Sequence, residues 1–396
     1  TIFGLSMQFD FSQLRVALPL NEEFPSYQRL KRQKARDKLK KSEEALRNVR
    51  SVPTKREYFS GGVVDWLLSA NPVGGGGHYY DLTLGSMLMG GDFMLSGSGN
   101  SITGFDTDHM TYKWRYTFDP NRYATQAELG NVYPVGPLGR GIKGGLVTNR
   151  PAVQRTHFQT IHVTGKLEPG WEAELYLDNK LIDFAVSDQS GEYDFAVDLV
   201  YGSSVMTLKL YGPNGEVRSE DREVRIPFNL IPRGSIEYSL GAGSVVTPFG
   251  DRPHLQSSSY YGVTNRLTVG AGSDIALSPG TEEKMLYAVE GTYQVFRSLT
   301  ATATFSPNTQ AYAGINYSLP SFASASVSFT RFYDNPYNAT LMQTSNTTFS
   351  ISAPFKIRNR YLGTRLYLSL DKYASFKSIT TNCGLNSSFW LFHFNY

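Results

Sequence analysis

The sequence predicts an all-β fold: a transmembrane antiparallel β-barrel of about 16–18 strands with an inserted β-sandwich plug domain. Segments of about ten residues alternate polar and apolar side chains over most of the chain, and successive side chains of a strand point to opposite faces. Charged residues are only 18% of the chain, whereas Tyr and Gly contribute 25 and 37 residues. This composition is typical of outer-membrane barrels, whose polar lumen balances an apolar outer surface.

The first region, residues 1–60, is interpreted as an N-terminal periplasmic linker. Phe3–Leu20 predicts one or two strands, clearest at Gln13–Leu18. Tyr27–Arg50 contains no Gly or Pro and many bases, and its few apolar residues lie at helical spacing, which predicts a surface helix. The helix is either a solvated linker or a contact for an acidic partner or anionic headgroups. Its candidate contact residues are Lys31, Arg32, Lys38 and Lys41.

Residues 61–150 predict the first barrel strands, about six in number. In the stretch His109–Phe118, five apolar or aromatic side chains alternate with His, Thr, Lys and Arg. Because Lys113 and Arg115 are costly in lipid, the aromatic set is expected to face lipid and the two bases the lumen. The candidate lumen charges are Lys113, Arg115, Glu128 and Asp274, together with Glu237.

Residues 151–228 predict the plug, most clearly between Ala152 and Ile226. Short alternating segments such as Trp171–Asp178 are separated by Gly, Pro and Asn turns, as expected of a small sandwich. From Arg150 to Phe228 there are thirteen acids and eight bases, an excess of five negative charges. We therefore expect a water-facing outer surface on this domain.

Residues 229–396 resume the longer alternation and predict about eleven further strands. Their polar positions are mainly Ser, Thr, Gly and Asn, and their apolar positions Ala, Val, Leu and Phe. A set of soluble sandwiches or a solenoid is the alternative. It is less favoured, because these small polar faces would make poor cores and the long apolar faces need lipid or a second sheet.

Four segments resemble the outer-membrane ushers of chaperone–usher fibre assembly. Leu14–Leu20 is similar to the segment that leads into the usher barrel, and Gly139–Val147 resembles the strand before the usher plug. Leu210–Glu216 and Gly234–Gly243 look like the last plug hairpin and the strand that re-enters the barrel. On this resemblance the candidate site residues of the hairpin and the re-entry strand are Tyr211, Gly212, Pro213, Asn214, Gly215, Glu237 and Tyr238.

The resemblance implies a fold with a sandwich plug between the sixth and seventh barrel strands, and a role in exporting folded fibre subunits. Ushers also carry an N-terminal periplasmic domain, two C-terminal domains and about two dozen strands. The sequence does not show those domains, so the chain is interpreted as part of a longer usher or as a shorter usher-like plugged barrel. Its expected location is the bacterial outer membrane.

The sequence offers no constellation for catalysis, metal or cofactor binding. The six His are scattered, Cys383 is single, and Gly74–Gly77 lacks the strand–helix context of a phosphate loop. A net charge of +3 does not indicate a nucleic-acid-binding surface. The expected partners are therefore membrane lipids and periplasmic or outer-membrane proteins. Two functions are favoured: a plug-gated export pore for surface protein fibres, or a permanently plugged structural subunit. A nutrient receptor is less favoured, because the plugs of such receptors lie N-terminal to their barrels, whereas this one interrupts the strands.

Overall fold

The structure is a computed structural model that describes residues 8–10, 15–17, 25–47, 56–70, 77–102, 104–105, 110–118, 123–151, 155, 157–187, 191–213, 215–247, 250–277, 285–307, 309–319, 323–333, 343–357, 360–389 and 392–395. The chain divides into two compact units. The sandwich unit comprises Thr1–Pro53 and Gln159–Val224, and the barrel unit comprises Thr54–Phe158 and Arg225–Tyr396.

The described elements are one helix and twenty-six strands. In chain order they are β1 (Gln8–Asp10), β2 (Arg15–Ala17), α1 (Pro25–Arg47), β3 (Phe59–Ala70), β4 (His78–Leu88), β5 (Gly91–Asn100), β6 (Gly104–Phe105), β7 (Thr111–Thr117), β8 (Gln126–Val132), β9 (Ile142–Thr148), β10 (His157–Lys166), β11 (Glu172–Leu177), β12 (Lys180–Val186), β13 (Glu192–Val200), β14 (Gly202–Tyr211), β15 (Val217–Ile226), β16 (Ile236–Thr247), β17 (Gly250–Thr264), β18 (Leu267–Ala276), β19 (Leu286–Phe296), β20 (Leu299–Ser306), β21 (Gln310–Leu319), β22 (Ala323–Phe332), β23 (Gln343–Ile357), β24 (Arg360–Tyr373), β25 (Lys377–Phe389) and β26 (Phe392–Asn395).

The barrel unit is one large antiparallel sheet. Its strand order runs from β16 to β26 and then from β3 to β9, and β9 pairs with β16, so the order closes on itself as a barrel. These are eighteen of the described strands, within the predicted range of about 16–18. Seven rather than six precede the sandwich, because the two-residue β6 lies against β5 beside the main β5–β7 ladder.

The register gives the sheet one polar and one apolar face. Asn316 pairs with Ser326, and Ser326 pairs with Ser350, while the alternate positions pair Ile315 with Val327 and Val327 with Phe349. Since paired residues lie on the same face, this alternation runs from strand to strand around the sheet. The polar face includes Lys113, Glu128, Thr148, Glu237, Gln256, Asp274, Thr292, Thr302, Asn316, Ser326, Ser350 and Ser369. The apolar face includes Tyr112, Trp114, Leu129, Val147, Leu240, Val269, Val289, Ile315, Val327, Phe349 and Leu366.

The strands β9 and β16 approach each other closely at a pair of glycines. Gly144 lies opposite Gly243, and a Cβ on either residue would come within 2.7 Å of the other's Cα. Real Cβ atoms do not approach backbone so closely, so only glycine fits at both positions. The sequence thus permits the contact at the point where the barrel strands before and after the sandwich meet.

The sandwich unit has a four-stranded sheet in the order β12–β11–β14–β15 and a two-stranded sheet of β10 and β13. Its buried side chains include Val163, Leu167, Trp171, Ala173, Leu175, Leu181, Phe195, Val197, Leu199 and Met206. The β11–β12 hairpin turns at Asp178 and Asn179, both of which have positive φ. Two such residues are what the hairpin turn of type I′ requires, and Asn and Asp tolerate it.

One face of the four-stranded sheet departs from the expectation of a water-facing outer surface. Glu172, Glu174 and Tyr176 share this face of β11, yet Glu174 is fully buried. The basic helix α1, which begins at Pro25 and ends at Arg47, contacts this face through Arg32 and Arg36. The expectation was wrong for this face, because alternation along β11 cannot show that a helix packs on the sheet as a third layer.

Candidate functional site

A buried carboxylate lies on the strand that follows the sandwich in sequence. The Glu237 side chain on β16 is 6% exposed, and one of its oxygens accepts a hydrogen bond from Arg150 Nε at 2.8 Å. Arg155 also pairs with Glu237, and the Arg150 guanidinium lies 5.3 Å from the centroid of the Tyr260 ring. Two cations therefore compensate one buried charge, as such a charge requires.

A second buried acid holds the loop between β8 and β9 against the polar face. Asp274 on β18 lies 2.7 Å from His254 Nδ1 on β17, and both side chains are under 5% exposed. Arg140 Nε lies 3.4 Å from the other Asp274 oxygen, and the Arg140 backbone N–H donates to Gln256 Oε1 at 3.2 Å. In the same loop, the carbonyl of Val135 accepts a hydrogen bond from the Ser258 hydroxyl.

The segment from the end of β15 to the start of β16 lies along the same face a few strands away. Gln294 Nε2 donates to the Arg225 carbonyl at 2.7 Å, and Asn229 Nδ2 lies 3.3 Å from Thr292 Oγ1. The backbone N–H of Ile231 donates to Thr268 Oγ1 at 2.9 Å, and Leu230 and Ile231 are buried. The polar side chains of β18 and β19 thus bind the backbone that enters β16.

Cross-strand ion pairs occupy the polar face of β5, β7 and β8. Lys113 Nζ lies 2.8 Å from Glu128, whose side chain is 7% exposed, and Arg115 lies 3.4 Å from Asp92. The predicted charges Lys113, Arg115, Glu128 and Asp274 therefore lie on one face, as alternation indicated. They form three separate pairs rather than one cluster.

Strands β20–β22 carry no charged residue on the polar face. Their polar positions are Thr300, Thr302, Thr304, Ser306, Gln310, Tyr312, Gly314, Asn316, Ser318, Ser324, Ser326, Ser328 and Thr330. Hydroxyls bond across strands: Ser326 lies 2.7 Å from Ser350, and Ser328 lies 2.6 Å from Thr348. Each hydroxyl can both donate and accept, so such a ladder needs no other partner.

Within the sandwich unit, the basic helix contacts the four-stranded sheet through two arginines one turn apart. Arg36 Nε lies 2.7 Å from Glu174, and Arg36 Nη2 lies 2.8 Å from Glu172. The Arg32 guanidinium lies 3.7 Å from the centroid of the Tyr211 ring. Hydrogen bonds to both carboxylates, against the opposing effect of burial, raise the pKa of Arg36 above its ordinary value, so it stays charged.

Tyr176 completes the environment of Glu174. Its hydroxyl donates to Glu174 at 2.7 Å, and burial, followed by this bond, raises the pKa of Tyr176. Burial likewise raises the pKa of Tyr211. The buried carboxylate therefore has one cation and the phenolic hydroxyls of Tyr176 and Tyr211 as partners, which together offset the cost of its burial.

The predicted hairpin and re-entry residues do not form one site. Gly212 N donates to the Glu216 carbonyl at 2.8 Å and Gly215 has φ +99°, so Gly212, Pro213 and Gly215 build the β14–β15 turn. Asn214 lies outside the described residues. Glu237 and Tyr238 are neighbours on β16, so their side chains point to opposite faces; the Tyr238 hydroxyl bonds the Tyr123 carbonyl on the apolar side.

Of the predicted helix residues, only Arg32 contacts the sheet, whereas Lys31, Lys38 and Lys41 are exposed. Sequence reasoning did not single out Arg36, Arg140, Arg150, Arg155 or His254 as site residues. The i, i+4 spacing of Arg32 and Arg36 is the one sequence signal that could have paired them on a helix face. The partners of Arg140, Arg150 and Arg155 on β16 and β18 are far away in sequence, so no local signal exists.

Among the described residues, no group of three or more His, Cys, Asp or Glu side chains could hold a metal ion. The described helix is not long and apolar enough to cross a membrane. Cys383 is an exposed free cysteine. The acids described above on β8, β16 and β18 each pair with a base, an arrangement that holds loops and strands in place.

No protein-family model and no curated protein matches the chain. Among solved structures it is similar to a chain of the E. coli P pilus tip assembly intermediate PapC–PapD–PapK–PapG. The two share 12% identity with a TM-score of 0.51 over 99% of this chain and 54% of that one, so this chain spans about half its length. The crystal structure of the Usher PapC translocation pore aligns with a TM-score of 0.41 at 13% identity, over 82% of this chain and 77% of that one. A mutant Rh. blastica porin aligns with a TM-score of 0.37 at 8% identity, over 84% and 100%. The alignment with the P pilus assembly intermediate shows that the chain has an usher-like β-barrel fold.

Proposed function

We propose that the chain is an usher-like pore of the bacterial outer membrane that exports or assembles surface protein fibres, with the inserted β-sandwich of residues 151–228 as its internal plug. The observation that carries the proposal is the inverted burial of the barrel sheet. Val289, Ile315 and Leu240 on the apolar face are at least 50% exposed, whereas Glu237, Asp274 and Gln256 on the polar face are buried. A sheet of this kind is stable with lipid on its apolar face.

The inversion extends around the sheet rather than being confined to one patch. Exposed apolar side chains occur on strands from β3 to β25, for example Trp66, Leu129, Val269, Phe329 and Ile379. Monomeric soluble proteins rarely expose contiguous apolar surface beyond a few hundred Å². This argument supports a membrane location, and the usher-like fold supports the outer membrane of bacteria in particular.

The proposed partners are membrane lipids and periplasmic or outer-membrane proteins of the exported-subunit kind. Support comes from the P pilus assembly intermediate, which contains a chain of similar fold. We propose no enzymatic activity, cofactor or nucleic-acid partner, since the acids and bases described above serve structural pairs.

In the proposed mechanism, the sandwich unit blocks the pore at rest and moves when a partner binds the open state more tightly than the closed one. The segments that join it to the barrel unit are held by bonds to the polar face, at Thr268, Thr292 and Gln294 on one side and at Glu237 on the other. These bonds resist movement of the joining segments. A partner that moves the segments must therefore supply the free energy to break the bonds, whereas a partner that moves only the sandwich strands leaves the bonds intact.

Deletion of the sandwich strands tests the proposal. Residues Gln159–Val224 would be replaced by a short Gly/Ser linker, and single-channel conductance would be measured in planar bilayers. The deletion variant should show a large, stable conductance, whereas the intact chain should be mainly closed. A control with Glu220→Gln and Asp221→Asn, which retains the sandwich, should resemble the intact chain. Equal conductance of deletion variant and intact chain would contradict a gated pore.

A permanently plugged structural subunit is the second candidate. The arginine contacts of α1 with the four-stranded sheet favour it, because they attach a third layer to the sandwich through a fully buried acid. Purification from native membranes separates the two functions. A fixed stoichiometric assembly with other envelope proteins favours the structural subunit, while substoichiometric fibre subunits that come and go favour export.

A further inference from the structure

Three bases lie side by side on the apolar face of the barrel sheet, at one end of its strands. Arg331 near the end of β22 pairs with Ser345 of β23. Ser345 pairs with Lys372 near the end of β24, and Lys372 pairs with Lys377, the first residue of β25. Paired residues share a face, and Arg331 lies two residues beyond Phe329 on β22, so this is the apolar face. Arg331, Lys372 and Lys377, here called the basic row, are all exposed.

The positive charges of the basic row repel one another. Lys372 and Lys377 lie directly opposite each other, and two like charges at such positions destabilise a pair of strands. Among the residues that the structure describes, no acid forms an ion pair with any of the three bases. The bases also lie on the face that is otherwise apolar, where a charge is costly. An anion bound between the bases would offset both costs.

A groove with a volume of about 570 Å³ lies beside the basic row. Its walls include Arg331, Ser345 and Lys372, together with the rings of Phe329 and Tyr333. The Arg331 guanidinium lies 5.7 Å from the centroid of the Tyr333 ring, so its charge is directed towards the end of the strand. The groove therefore combines two bases and a hydroxyl with two aromatic rings, and this combination suits an amphipathic ligand.

A row of apolar side chains borders the basic row on the side of the strand centres. Phe329, Leu370 and Ile379 occupy the neighbouring register positions of β22, β24 and β25, and all three are exposed. Each lies two residues from a member of the basic row, a distance of about 7 Å along a strand. A lipid has its charged headgroup directly beside apolar chains, whereas a soluble anion has no apolar part. The two adjacent rows therefore favour a lipid.

The basic row lies at the end of the barrel opposite to the start of β16. Alternate strands of an antiparallel sheet run in the same direction, so β16, β18, β20, β22 and β24 all finish at the same end of the barrel. Longer segments join β18 to β19 and β22 to β23 at that end, whereas short turns join β17 to β18 and β19 to β20 at the other. In outer-membrane barrels the short turns are periplasmic and the longer loops extracellular. This orientation puts the basic row at the outer leaflet.

We propose that the basic row binds the phosphate monoester of a lipid in the outer leaflet, whose acyl chains lie along the apolar row. The proposal rests on the outer-membrane location proposed above, and it names the lipid headgroup that this barrel would recognise. A phosphate monoester carries about −1.5 to −2 charges at neutral pH, whereas a phosphodiester carries a single charge, so three bases match the monoester better. The planar Arg331 guanidinium can donate two parallel bonds to two phosphate oxygens, and Lys372 and Lys377 add point charges.

Lipid titration of the full chain tests the choice of headgroup. The protein would be purified in a neutral detergent, and its binding of phosphatidic acid and of phosphatidylglycerol with the same acyl chains would be measured by native mass spectrometry. Phosphatidic acid, a monoester, should bind several-fold more tightly than the diester, and diphosphoryl lipid A should compete with it. Equal affinity for phosphatidic acid and phosphatidylglycerol would overturn the proposed headgroup.

Matched charge variants test the location of the site. Arg331→Gln with Lys372→Gln should weaken the binding of phosphatidic acid about tenfold, since a hydrogen bond between charged partners contributes at least that factor. The control Arg233→Gln with Arg266→Gln removes two exposed bases near the opposite strand ends and should leave the affinity unchanged. Unchanged affinity in the first variant, or an equal loss in both, would overturn the assignment to the basic row.

The variant Lys377→Gln separates lipid binding from a structural role. It removes the repulsion of Lys372, so it should not lower the thermal unfolding midpoint in detergent without lipid. It should nevertheless weaken the binding of phosphatidic acid several-fold. A lower midpoint together with unchanged lipid binding would show that the basic row is structural, and the proposal would be wrong.

Two further outcomes identify which inference has failed. If inorganic phosphate displaces phosphatidic acid as effectively as the same concentration of free lipid does, the row binds phosphate alone and the lipid proposal is wrong. Failure of the chain to insert into any bilayer would instead contradict the membrane location itself. A chain that inserts and yet shows no preference for the monoester contradicts only the lipid site, so the two failures are distinguishable.

Discussion

The polar face of the barrel unit has two regions whose polar side chains find their hydrogen-bond and ion-pair partners in different ways. On β8, β16 and β18 it carries Glu128, Glu237 and Asp274, all buried and each paired with at least one base. On β20–β22 it carries small hydroxyl and amide side chains, mostly half-buried, and no charge. The strands of both regions alternate polar and apolar side chains. The two regions therefore differ in what covers their polar side chains, not in their strand pattern.

The charged region is covered by chain segments of the same unit, whereas hydroxyls of the uncharged region bond to one another across strands. One such segment also reaches the uncharged region, where the Arg225 guanidinium donates to the Ser318 carbonyl at 2.9 Å. The loop between β8 and β9 and the segment before β16 bond to the charged region. A covering segment removes water, so ionised side chains beneath it need partners. The hydroxyl ladders of β20–β23 satisfy one another across strands and tolerate water equally well. The uncharged surface therefore offers no fixed charge to a molecule that approaches it.

The largest effect should come from removing the central acid of the charged region. Glu237→Leu leaves Arg150 and Arg155, each 27% exposed, beside an apolar group. Breaking a buried pair by deletion of one partner costs about 3 kcal/mol. We expect that loss in the free energy of unfolding, measured by urea titration of tryptophan fluorescence in lipid vesicles. Glu237→Gln, which keeps an acceptor, should lose less, and an unchanged midpoint for Glu237→Leu would show that this region does not depend on its charges.

The sandwich unit provides an independent test of the need of a buried carboxylate for a charged partner. Arg36→Ala leaves the fully buried Glu174 without a cation, beside the hydroxyls of Tyr176 and Tyr211. We expect a loss of about 2–3 kcal/mol, measured as faster amide hydrogen exchange in β11 and β14. Lys38→Ala, on the exposed side of the helix, is the matched control and should leave exchange unchanged. If both variants exchange at the same rate, the arginine contact does not stabilise the sheet.

A smaller effect should appear at alkaline pH. Burial raises the pKa of Tyr176 above its ordinary value of 10.0, and the bond to Glu174 raises it further. A raised folded-state pKa contributes stability that is complete below the unfolded value of 10.0 and is lost as pH rises above it. Tyr176→Phe should therefore lower the stability of the sandwich by about 1.5 kcal/mol at neutral pH and weaken its decline above pH 10. Hydrogen exchange of β11 across this range checks both, and an unchanged alkaline slope would contradict the assignment.

The alternation of side chains predicted much of this architecture from sequence. The polar and apolar sets of β7, β16 and β20–β22 lie on the faces that a period of two indicates, because alternation is a local property of strands. The pairing of Arg140 with Asp274 or of Arg155 with Glu237 depends on the closure of the strand order and could not be read locally. The covering of Glu174 by α1 could not be read either, since the helix and β11 are separated by the first barrel strands.

The smallest effects should come from the hydroxyl ladder, and they sharpen the contrast between the two regions. Ser326 and Ser350 lie 2.7 Å apart, and both are half-buried. A double-mutant cycle of Ser326→Ala and Ser350→Ala should give a coupling free energy of only about 0.5–1 kcal/mol. Each hydroxyl that loses its partner can still bond to water or to another neighbour, so neither is left with a buried unpaired charge. The cycle would be measured by urea unfolding in the same vesicles as Glu237→Leu. A coupling as large as the cost of that charged variant would mean that the ladder is sealed from water, and the distinction between a covered and an open polar face would then fail.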